Sequence, residues 1–453
     1  MENCDVETEI EFENDVDASS QNEIVEINSG EFRTDGGPRD VKTLCEWIRK
    51  GRLIVNPDFQ RKYVWDIAKA TRLIESVLLR VPLPVVYFAK ESGDKFSVID
   101  GQQRLTTLKA FIDGKFDDGR EFKLSRMTSS AFSNLRNKSF AQLTEELQNR
   151  ILETFIPTVT FLESDPNLKF DVFERLNTGA VALNDQELRN CIYRGNYNLL
   201  LRELAEYPEF KALLDIKGAE KRMRDVELVL RFAAFYHSTY LQYKSPIKRF
   251  LNNEMNKYKD ISEEDAKELK EAFKKAVYLV RSLLGKNAFR RFFAGDHRGV
   301  NGRWETKKFN VSLFDILMYT MGRNVTDKNK VMRNKDAILE SYMDLMTSDM
   351  EFIESIEKST SSFSMVVRRF DKWRQRLDEI LNADNTQPRC FSFELKSKLF
   401  NANPTCAICG QSISCIEDAA VDHIKQYWLG GETIPENARL VHRYCNCARP
   451  RND

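Results

Sequence analysis

The sequence predicts an α+β multidomain protein, with a mixed α/β region first, an all-helical middle region and a small metal-binding module last. Three observations support this prediction: short apolar strands alternate with amphipathic helices from residue 41 to about 195, strand patterns then vanish up to residue 388, and cysteines crowd into the last fifty residues. At 453 residues the chain is long enough for two or three domains. Its 42% hydrophobic and 30% charged content is typical of a folded protein. Because no run of eighteen apolar residues occurs, no membrane span is expected.

Residues 1–38 are predicted to be an acidic, disordered leader. Residues 1–40 carry thirteen Asp/Glu against two Arg, a balance of −11, and because the chain is neutral overall the remaining residues carry +11. An acidic tail ahead of a basic body is common in proteins that handle nucleic acid, and a merely solvated leader is an equally favoured interpretation. The segment lacks the basic and apolar regions of a secretory signal, so a cytoplasmic location is expected.

Residues 39–198 are predicted to form the first folded domain. Residues 41–51 and 71–81 have helical patterns, and "VVYFAK" and "KFSVID" read as strands separated by a turn. A helix opens directly after the second strand, at "GQQRLTTLKAFIDG", and "IPTVTFLE" is a further strand before a last helix that ends at Gly179. The strands are too few and too irregular for a doubly wound sheet, so a mixed α/β domain is expected.

Residues 199–388 are predicted to be all-helical, and residues 262–285 show why. Ser262 can cap a helix with Asp265 three residues on, and Gly285 ends it. One face of that helix is apolar: Leu269, Phe273, Ala276, Val280 and Leu283.

The segment 281–308 within this region is basic, with eight Lys/Arg against two Asp/Glu and four interleaved aromatic residues. That mixture suits contact with a phosphate backbone plus base stacking. A solvated face over ordinary core aromatics explains it equally well.

The last segment, residues 389–453, contains a Cys-x-x-Cys and a His-x-x-Cys pair separated by thirty-two residues. Two such pairs supply four soft ligands for a tetrahedral zinc ion, here Cys406, Cys409, His442 and Cys445. A structural metal is sensible in a module too small to build much of a core. Cys415 and Cys447 are surplus; each can substitute in the ligand set, but an ordinary buried cysteine is favoured. This clustering indicates metal binding in a reducing compartment rather than disulfides.

The residues between the two pairs carry further information. "VDHI" reads as a strand, "GG" as its turn, and "ENARLVHRYCN" as a second strand that runs into a helix. This arrangement resembles the HNH nuclease family, whose ββα-metal module carries an Asp-His pair on its first strand. The resemblance covers about fifty residues. The matching residues are Asp422, His423, Asn437 and Asn446.

The resemblance implies roles for these four residues. His423 would be the general base that activates a water for phosphodiester hydrolysis. Asp422 and Asn446 would offer hard oxygen ligands to Mg²⁺ or Mn²⁺, and Asn437 would hold the orientation of the histidine. His442 stands where many members of the family have a fourth cysteine, and imidazole serves zinc equally well.

In the first domain, "VIDGQQRLTTL" is a strand end, a glycine turn and a helix start. The backbone N–H groups of such a helix start favour a phosphate, and Arg104 adds a charge-assisted contact. On the residues alone, a surface turn remains the simpler explanation.

The surrounding segments favour a functional role for this turn over an ordinary surface turn. "NPDFQRKYVW", "LIESVLLRVPLPVVYF" and "FERLNTGAVALNDQELRN" flank the motif in order, and together they resemble the ParB/sulfiredoxin-like domain of GmrSD-type modification-dependent restriction enzymes. In that family the DGQQR segment is required for NTP hydrolysis, which implies roles for Asp100, Gly101, Gln102, Gln103 and Arg104. The secondary candidates for the nucleotide pocket are Gln60, Arg61 and Asn177. Because no GxxxxGK[ST] motif occurs, NTPase activity of the P-loop kind is excluded.

These resemblances imply an NTP-regulated, metal-dependent DNA endonuclease of a bacterial anti-phage or restriction system, with phage or modified DNA as partner. A different class stays open, an NTP-dependent DNA-binding regulator whose zinc knuckle only docks, although such a knuckle needs neither Asp422 nor His423. A toxic nuclease that acts on host DNA is a third option. The sequence leaves open the modification recognised, the preferred NTP, the direction of its effect and the formation of a homo-oligomer.

Overall fold

The computed structural model describes residues 11–12, 33–55, 65–91, 93–162, 166–176, 184–214, 223–295, 300, 302–382 and 391–449. The chain forms two compact units, one of residues 24–194 and the other of residues 1–23 together with 195–453. None of the helices in these ranges is long and apolar enough to cross a bilayer. The mixed α+β character predicted from the sequence is confirmed.

The unit of residues 24–194 is built on one mixed five-stranded sheet. Its strands are β2 (Thr34–Asp40), β3 (Leu53–Ile54), β4 (Val86–Lys90), β5 (Phe96–Asp100) and β6 (Phe155–Phe161), in the order β2-β6-β4-β5-β3. The β2–β6 and β4–β5 pairs are antiparallel, and the β6–β4 and β5–β3 pairs are parallel. The mixture of directions excludes a doubly wound sheet, as the sequence predicted.

The α-helices in the described part of this unit are α1 (Val41–Arg49), α2 (Ile67–Leu78), α3 (Gln102–Asp113), α4 (Glu145–Leu152), α5 (Pro166–Leu176) and α6 (Asp185–Ile192). Aspartates begin the first two, because the side chains of Asp40 and Asp66 accept hydrogen bonds from the backbone N–H groups of Thr43 and Lys69. The predicted helices over 41–51, 71–81 and 101–114 are confirmed. A continuous apolar core that includes Phe88 and Phe111 joins helices and sheet.

The domain boundary predicted at residue 38 lies inside strand β2, whose last five residues are "GGPRD". Glycine and proline weaken a strand pattern, which is why the sequence did not indicate this one. The strand accommodates them: a Cβ on Gly36 would make a tight contact of 3.1 Å with the Thr158 carbonyl oxygen, and Pro38 fits because β2 is an edge strand.

The second unit is mainly helical. Its helices are α7 (Asn196–Ala205), α8 (Pro208–Leu214), α9 (Arg224–Ser238), α10 (Ile247–Lys257), α11 (Glu263–Leu284), α12 (Val311–Tyr319), α13 (Lys328–Arg333), α14 (Lys335–Ser348), α15 (Met350–Glu357), α16 (Phe363–Asn382), α17 (Phe393–Ala402) and α18 (Arg443–Ala448). Helix α11 confirms its prediction in detail: Ser262 caps its start, Gly285 ends it, and the five predicted apolar residues are buried.

The middle region is not purely helical, which corrects the prediction. Short strands β7 (Phe292–Phe293) and β8 (Arg303–Trp304) pair with each other, and β9 (Lys308–Phe309) pairs with β1 (Glu11–Phe12). Strands β7 and β8 lie in the basic segment 281–308, and β9 begins at its last residue. They are two residues long and therefore too short to leave a periodic pattern in the sequence.

A buried ion-pair cluster joins three helices of this unit. Arg231 of α9 donates from Nε and Nη2 to the carboxylate of Asp315 on α12, at 2.9 and 2.6 Å. Arg369 of α16 lies 3.5 Å from the same carboxylate, and all three side chains are at most 2% exposed. Taking one of these charges away would leave its partners uncompensated in the interior.

The last residues of the unit fold as a small hairpin with a helix. Strands β10 (Ala419–His423) and β11 (Ala438–His442) are antiparallel, with His423 opposite Ala438 and Ala419 opposite His442. Helix α18 follows β11 directly, and α17 and α18 pack on both strands. The predicted β-β-α order of the C-terminal module is confirmed.

Candidate functional site

The four predicted zinc ligands come together at one end of the hairpin. Their ligand atoms all lie within 4.8 Å of one another, and they are the one group of three or more His, Cys, Asp or Glu residues in the described ranges that could hold a metal ion. Cys409 Sγ lies 3.3 Å from His442 Nδ1, and Cys445 Sγ lies 4.0 Å from it. Bond lengths of about 2.0–2.3 Å to zinc place tetrahedral ligands roughly 3.5–3.8 Å apart, so the donor set fits a zinc ion.

The first two ligands lie on a tight turn. Cys406 and Gln411 are joined by a backbone hydrogen bond, Gly410 N–H donates to the Cys406 carbonyl, and Gly410 has a φ of 73°. Burial raises the pKa of Cys406, but the N–H groups of Cys409 and His442 outweigh it and bring the pKa to about 7. A thiolate is therefore accessible at neutral pH, which is the form that binds zinc.

The fourth ligand is in a different environment. Burial, followed by the neighbouring Cys409 and Cys406 thiols, raises the pKa of Cys445 to about 12. A coordinating metal deprotonates a thiol outright, so a bound cation would replace this proton. Metal binding at Cys445 would therefore release a proton and depend on pH.

The surplus cysteines stay outside this cluster as far as the structure describes them. Cys415 Sγ donates to the Gly302 carbonyl at 3.5 Å, and burial raises the pKa of its thiol. It behaves as an ordinary half-buried cysteine. The side chain of Cys447 lies outside the described residues.

His423 ends strand β10 and is half-buried. Its Nε2 atom lies 2.9 Å from the hydroxyl of Thr433, and the rings of Phe391 and Tyr427 lie 4.4 and 5.6 Å from the imidazole, centroid to centroid. The hydroxyl fixes one ring nitrogen and the aromatic rings restrict rotation. Thr433 was not among the predicted site residues, because nothing in the sequence links a threonine ten residues away to this histidine.

Asn437 holds the loop that joins the two strands. Its side-chain oxygen accepts from the N–H of Lys425 at 2.7 Å, and its amide donates to the carbonyls of Lys425 and Glu432 at 3.1 and 2.9 Å. Gly431 completes the loop, since a Cβ there would lie 1.8 Å from the Lys425 carbonyl oxygen. Among these contacts none reaches the imidazole; they fix the loop that carries Thr433.

Asp422 precedes the histidine, and its side chain is almost fully buried. Its Oδ2 atom accepts from Arg439 Nη2 at 2.7 Å and from Arg449 Nη1 at 2.8 Å. Arg449 also donates to the carbonyls of His423 and Ile424. Neither arginine was among the predicted site residues; Arg439 lies on the opposite strand, in register with Asp422.

A divalent cation would therefore meet a carboxylate that already has two cationic partners. Both ion pairs use Oδ2. The second oxygen donor, Asn446, is half-buried on helix α18, and within the described ranges its amide makes no hydrogen bond. A carboxylate and an amide oxygen are hard oxygen donors, the type of ligand that Mg²⁺ takes.

Buried charges attach the module to the helical body. The Arg443 side chain is fully buried; it donates to Asp344 at 2.8 Å and pairs with Glu340, and both acids lie on one face of helix α14. Lys396 of α17 lies 2.8 Å from Glu340. Burial raises the pKa of Asp344, and the charge of Arg443 opposes that rise.

A second attachment lies at the start of β10. The Asp418 carboxylate accepts from the backbone N–H groups of Gly295 and Gly302 at 3.0 and 3.2 Å. Both glycines belong to the basic segment 281–308, and a Cβ on Gly302 would lie 2.5 Å from Asp418 Oδ1. This part of the segment supports the strand that carries His423.

The aromatic residues of the basic segment are partly core. Phe289 and Phe292 are fully buried, whereas Phe293 is 36% exposed. Arg290 donates to the backbone carbonyls of Thr306 and Lys308. Phe289 and Phe292 are therefore ordinary core aromatics, which is one of the two interpretations that the sequence left open for this segment. Their rings are not available for stacking on bases.

The DGQQR motif lies at the junction of strand β5 and helix α3. Gly101 has a φ of 96°, and a Cβ on it would lie 2.8 Å from both methyl carbons of Val86. Gly101 is the N-cap residue of α3, and it has no side chain that could accept a hydrogen bond from the first N–H groups of the helix. Backbone N–H groups at the start of a helix suit an anion. The side chains of Gln102 and Gln103, on the first turn, are half-buried.

Arg104 is directed inward rather than toward solvent. Its guanidinium pairs with Asp100 at 2.9 Å and donates to the carbonyls of Pro84 and Val85. Burial lowers the pKa of Arg104, and the charge of Asp100 opposes that fall. The arginine thus fixes the segment before β4 beside the start of α3. The other pocket candidates, Gln60, Arg61 and Asn177, lie outside the described residues.

The comparisons with known proteins agree with this geometry. Residues 41–194 match the family of the GmrSD restriction endonuclease N-terminal domain, and residues 406–449 match the HNH endonuclease family. No curated protein matches the chain. The chain therefore combines a GmrSD-type domain with an HNH endonuclease domain, which is the composition of a restriction-type nuclease.

Proposed function

We propose that this protein is a cytoplasmic, NTP-regulated DNA endonuclease of a modification-dependent anti-phage restriction system. The observation that supports it most directly is the hairpin-helix module, in which an oriented histidine and a buried carboxylate end strand β10 beside a zinc-type ligand set. The substrate is DNA, from phage or carrying a modification.

His423 is the general base of the proposed reaction. The Thr433 hydroxyl engages Nε2, so Nδ1 is the imidazole nitrogen that would accept the proton of the attacking water. Asn437 is a positioning residue, because it fixes the loop on which Thr433 lies.

Asp422 and Asn446 would hold the divalent cation. A Mg²⁺ or Mn²⁺ ion there would supply charge stabilisation to the phosphate and the leaving oxygen. Arg439 and Arg449 orient the Asp422 carboxylate and add positive charge where a phosphodiester has to lie. Zinc at Cys406, Cys409, His442 and Cys445 would be structural, holding the turn, the end of β11 and helix α18 together.

The DGQQR element is the proposed NTP site. The start of helix α3 and the Gly101 turn offer backbone N–H groups to a phosphate, and Asp100 is 60% exposed beside them. Arg104 acts in this proposal as a positioning residue for the turn, since its guanidinium is already engaged. NTP turnover here would regulate cutting by the HNH module.

One observation favours a second candidate, an NTP-dependent DNA-binding regulator with a non-catalytic zinc module. The Asp422 oxygen that would serve as a ligand is paired with two arginines. If those pairs persist when Mg²⁺ or Mn²⁺ is added, the module would bind DNA without cutting it.

The test is cleavage of matched phage DNAs, modified and unmodified, with Mg²⁺ or Mn²⁺ and with or without each NTP. The proposal expects metal-dependent cutting that changes with NTP and differs between the two DNAs. The His423→Ala variant serves as the matched inactive control. DNA binding without cutting under every metal and nucleotide condition would contradict the nuclease proposal and favour the regulator.

A further inference from the structure

A pocket of about 670 Å³ opens on the helical body, and none of its lining residues belongs to the hairpin or to the DGQQR element. It is lined by helix α11, the residue before α8, the end of α9, the start of α13 and a π-helical turn over Thr320–Asn324. Pockets of about 300–1,000 Å³ hold small organic ligands and cofactors. The size therefore suits a nucleotide-sized molecule.

Three lysines converge on this pocket, two from α11 and one from the start of α13: Lys274, Lys275 and Lys328. Lys275 Nζ donates to the Val325 carbonyl at 2.8 Å. Burial, and then the charge of Lys328, lower the pKa of Lys275. In the part of the chain that the structure describes, none of the three pairs with a carboxylate, so an anion between them would relieve their repulsion.

Three tyrosines line the same pocket, and each has a cation near its ring. Lys274 Nζ lies 5.4 Å from the Tyr207 ring, Lys328 Nζ lies 5.8 Å from that of Tyr278, and the Arg323 guanidinium lies 5.6 Å from that of Tyr236. Tyr278 is 54% exposed although its ring is large and partly apolar. Exposed rings beside cations form stacking platforms for bases.

The two carboxylates of the pocket are arranged differently from each other. Tyr236 donates its hydroxyl to Glu268 at 2.7 Å, which fixes that carboxylate at the rim. Glu271 is exposed and makes no ion pair among the described residues. A free carboxylate beside three lysines suits a ligand with hydrogen-bond donors as well as negative charge, such as a sugar hydroxyl or an exocyclic amine.

One side of the pocket is lined by a glycine in a π-helical turn. Gly322 lies in the π-helical turn, and a Cβ there would lie 2.8 Å from the Phe232 ring. A π-helical turn is rare, and such turns occur frequently at functional sites. Here the wider turn and the glycine keep this side open above Phe232, which stacks on Tyr236.

We propose that this pocket binds a nucleotide, with the base against the exposed ring of Tyr278 and the phosphate between Lys274, Lys275 and Lys328. The site goes beyond the proposed NTP-regulated nuclease, since it shares no residue with the DGQQR element or the HNH module. The same chemistry describes a free nucleotide and a nucleotide within a DNA strand.

The test is photocrosslinking of the full-length protein with two probes, 8-azido-ATP and a single-stranded DNA oligonucleotide that carries 5-iodouracil, followed by peptide mapping. The binding variants are Tyr278→Ala and the double variant Lys274→Glu/Lys328→Glu, all at exposed side chains that folding does not require. Lys267→Glu, an exposed lysine on the same helix but outside the pocket, is the matched control.

We expect a crosslink to peptides of α11 that the control retains. Removing a stacking ring weakens binding by roughly fivefold to a hundredfold, and the double charge reversal should abolish the crosslink. Labelling by 8-azido-ATP alone would identify a free-nucleotide site, and labelling by the oligonucleotide a strand site. No crosslink to α11 with either probe, or one that survives Lys274→Glu/Lys328→Glu, would overturn the proposal. Either result leaves the DGQQR site untouched, because crosslinks there map to different peptides.

Discussion

At the scale of single residues, the position of a side chain depends on partners that lie far away in the chain. His423 is oriented by Thr433, and Asp422 by Arg439 and Arg449. The residue types of a nuclease motif thus indicate the chemistry, while their neighbours decide whether each group can perform it. Changes at single residues separate the two proposed sites.

We expect His423→Ala to reduce DNA cleavage by about a hundredfold to ten-thousandfold, the usual contribution of a positioned general base. NTP hydrolysis should persist, because the DGQQR element lies in the other unit. Plasmid nicking and phosphate release, measured on the same preparation, check both activities. Glu436→Ala, at an exposed position of the same loop, is the control and should cut normally.

The converse change is Asp100→Ala, which should reduce NTP hydrolysis while leaving the HNH residues in place. If His423→Ala cuts DNA as well as the unaltered protein does, the HNH assignment is wrong. A single shared site would lose both activities with either substitution.

Gly101→Ala tests the turn of the DGQQR element. An alanine at a φ of 96° is strained, and its Cβ would lie 2.8 Å from Val86 as well. We expect a loss of unfolding free energy of about 1–3 kcal/mol from the strained backbone, with the clash in addition. Gly114→Ala is the matched control, since its φ is 78° and its Cβ would meet nothing within 4 Å. Denaturant titration of both variants checks this; equal losses would show that the Val86 contact is unimportant.

At the scale of elements, the C-terminal module depends on its metal ligands because its own core is small. Its buried apolar cluster contains only seven residues, two of which are the ligands Cys406 and Cys445. A zinc ion would connect the turn at 406–410 to the end of β11 and to α18, so the metal would supply folding energy that the core cannot.

We expect close to one zinc per chain by elemental analysis, and Cys409→Ser should lose it. Loss of the metal should increase amide hydrogen exchange in β10, β11 and α18, because those elements are joined by the ligands. Cys415→Ser is the control, since its sulfur bonds to the Gly302 carbonyl instead, and it should keep the zinc. Wild-type protein that is folded and active without zinc would disprove the assignment.

At the scale of the whole molecule, buried charges join elements that are distant in sequence within the unit of residues 195–453. The Arg231–Asp315–Arg369 cluster joins α9, α12 and α16, and Arg443 joins α18 to α14. Removing one partner of such an ion pair lowers the unfolding free energy, because the remaining charge stays in the interior without compensation.

We expect Asp315→Ala to lower the unfolding free energy by about 3–5 kcal/mol, the typical cost of breaking a buried ion pair. Chemical denaturation checks the value. Asp336→Ala, at an exposed aspartate on α14, should change it by less than about 0.5 kcal/mol. A comparable loss in both variants would mean that the buried cluster contributes nothing specific.

We expect Arg443→Gln to loosen the module from α14, since Glu340 and Asp344 would lose their buried cation. Zinc should be retained, because Arg443 is not a ligand, while DNA cleavage should fall. Elemental analysis and nicking assays on one preparation separate the two effects. Loss of zinc in this variant would show instead that the arginine is needed for the module to fold.

The sequence by itself determined the mixed α/β and helical regions, the zinc ligand set and the order of the β-β-α module. Each rests on local information, since helix caps, residue spacing and ligand pairs act over a few positions. Strand β2 was missed for the same reason: its glycines and proline lack a strand pattern, and its pairing partner β6 lies over a hundred residues away.

Only the tertiary structure decided which side chains meet. It placed Thr433 on His423 and two arginines on Asp422, turned Arg104 toward the Pro84 and Val85 carbonyls, and brought three lysines and three tyrosines to one pocket. These contacts arise when separate elements pack, so neither spacing nor periodicity records them. The buried ion pairs are the clearest case, because a charge in the interior is tolerated only where a partner from another element meets it.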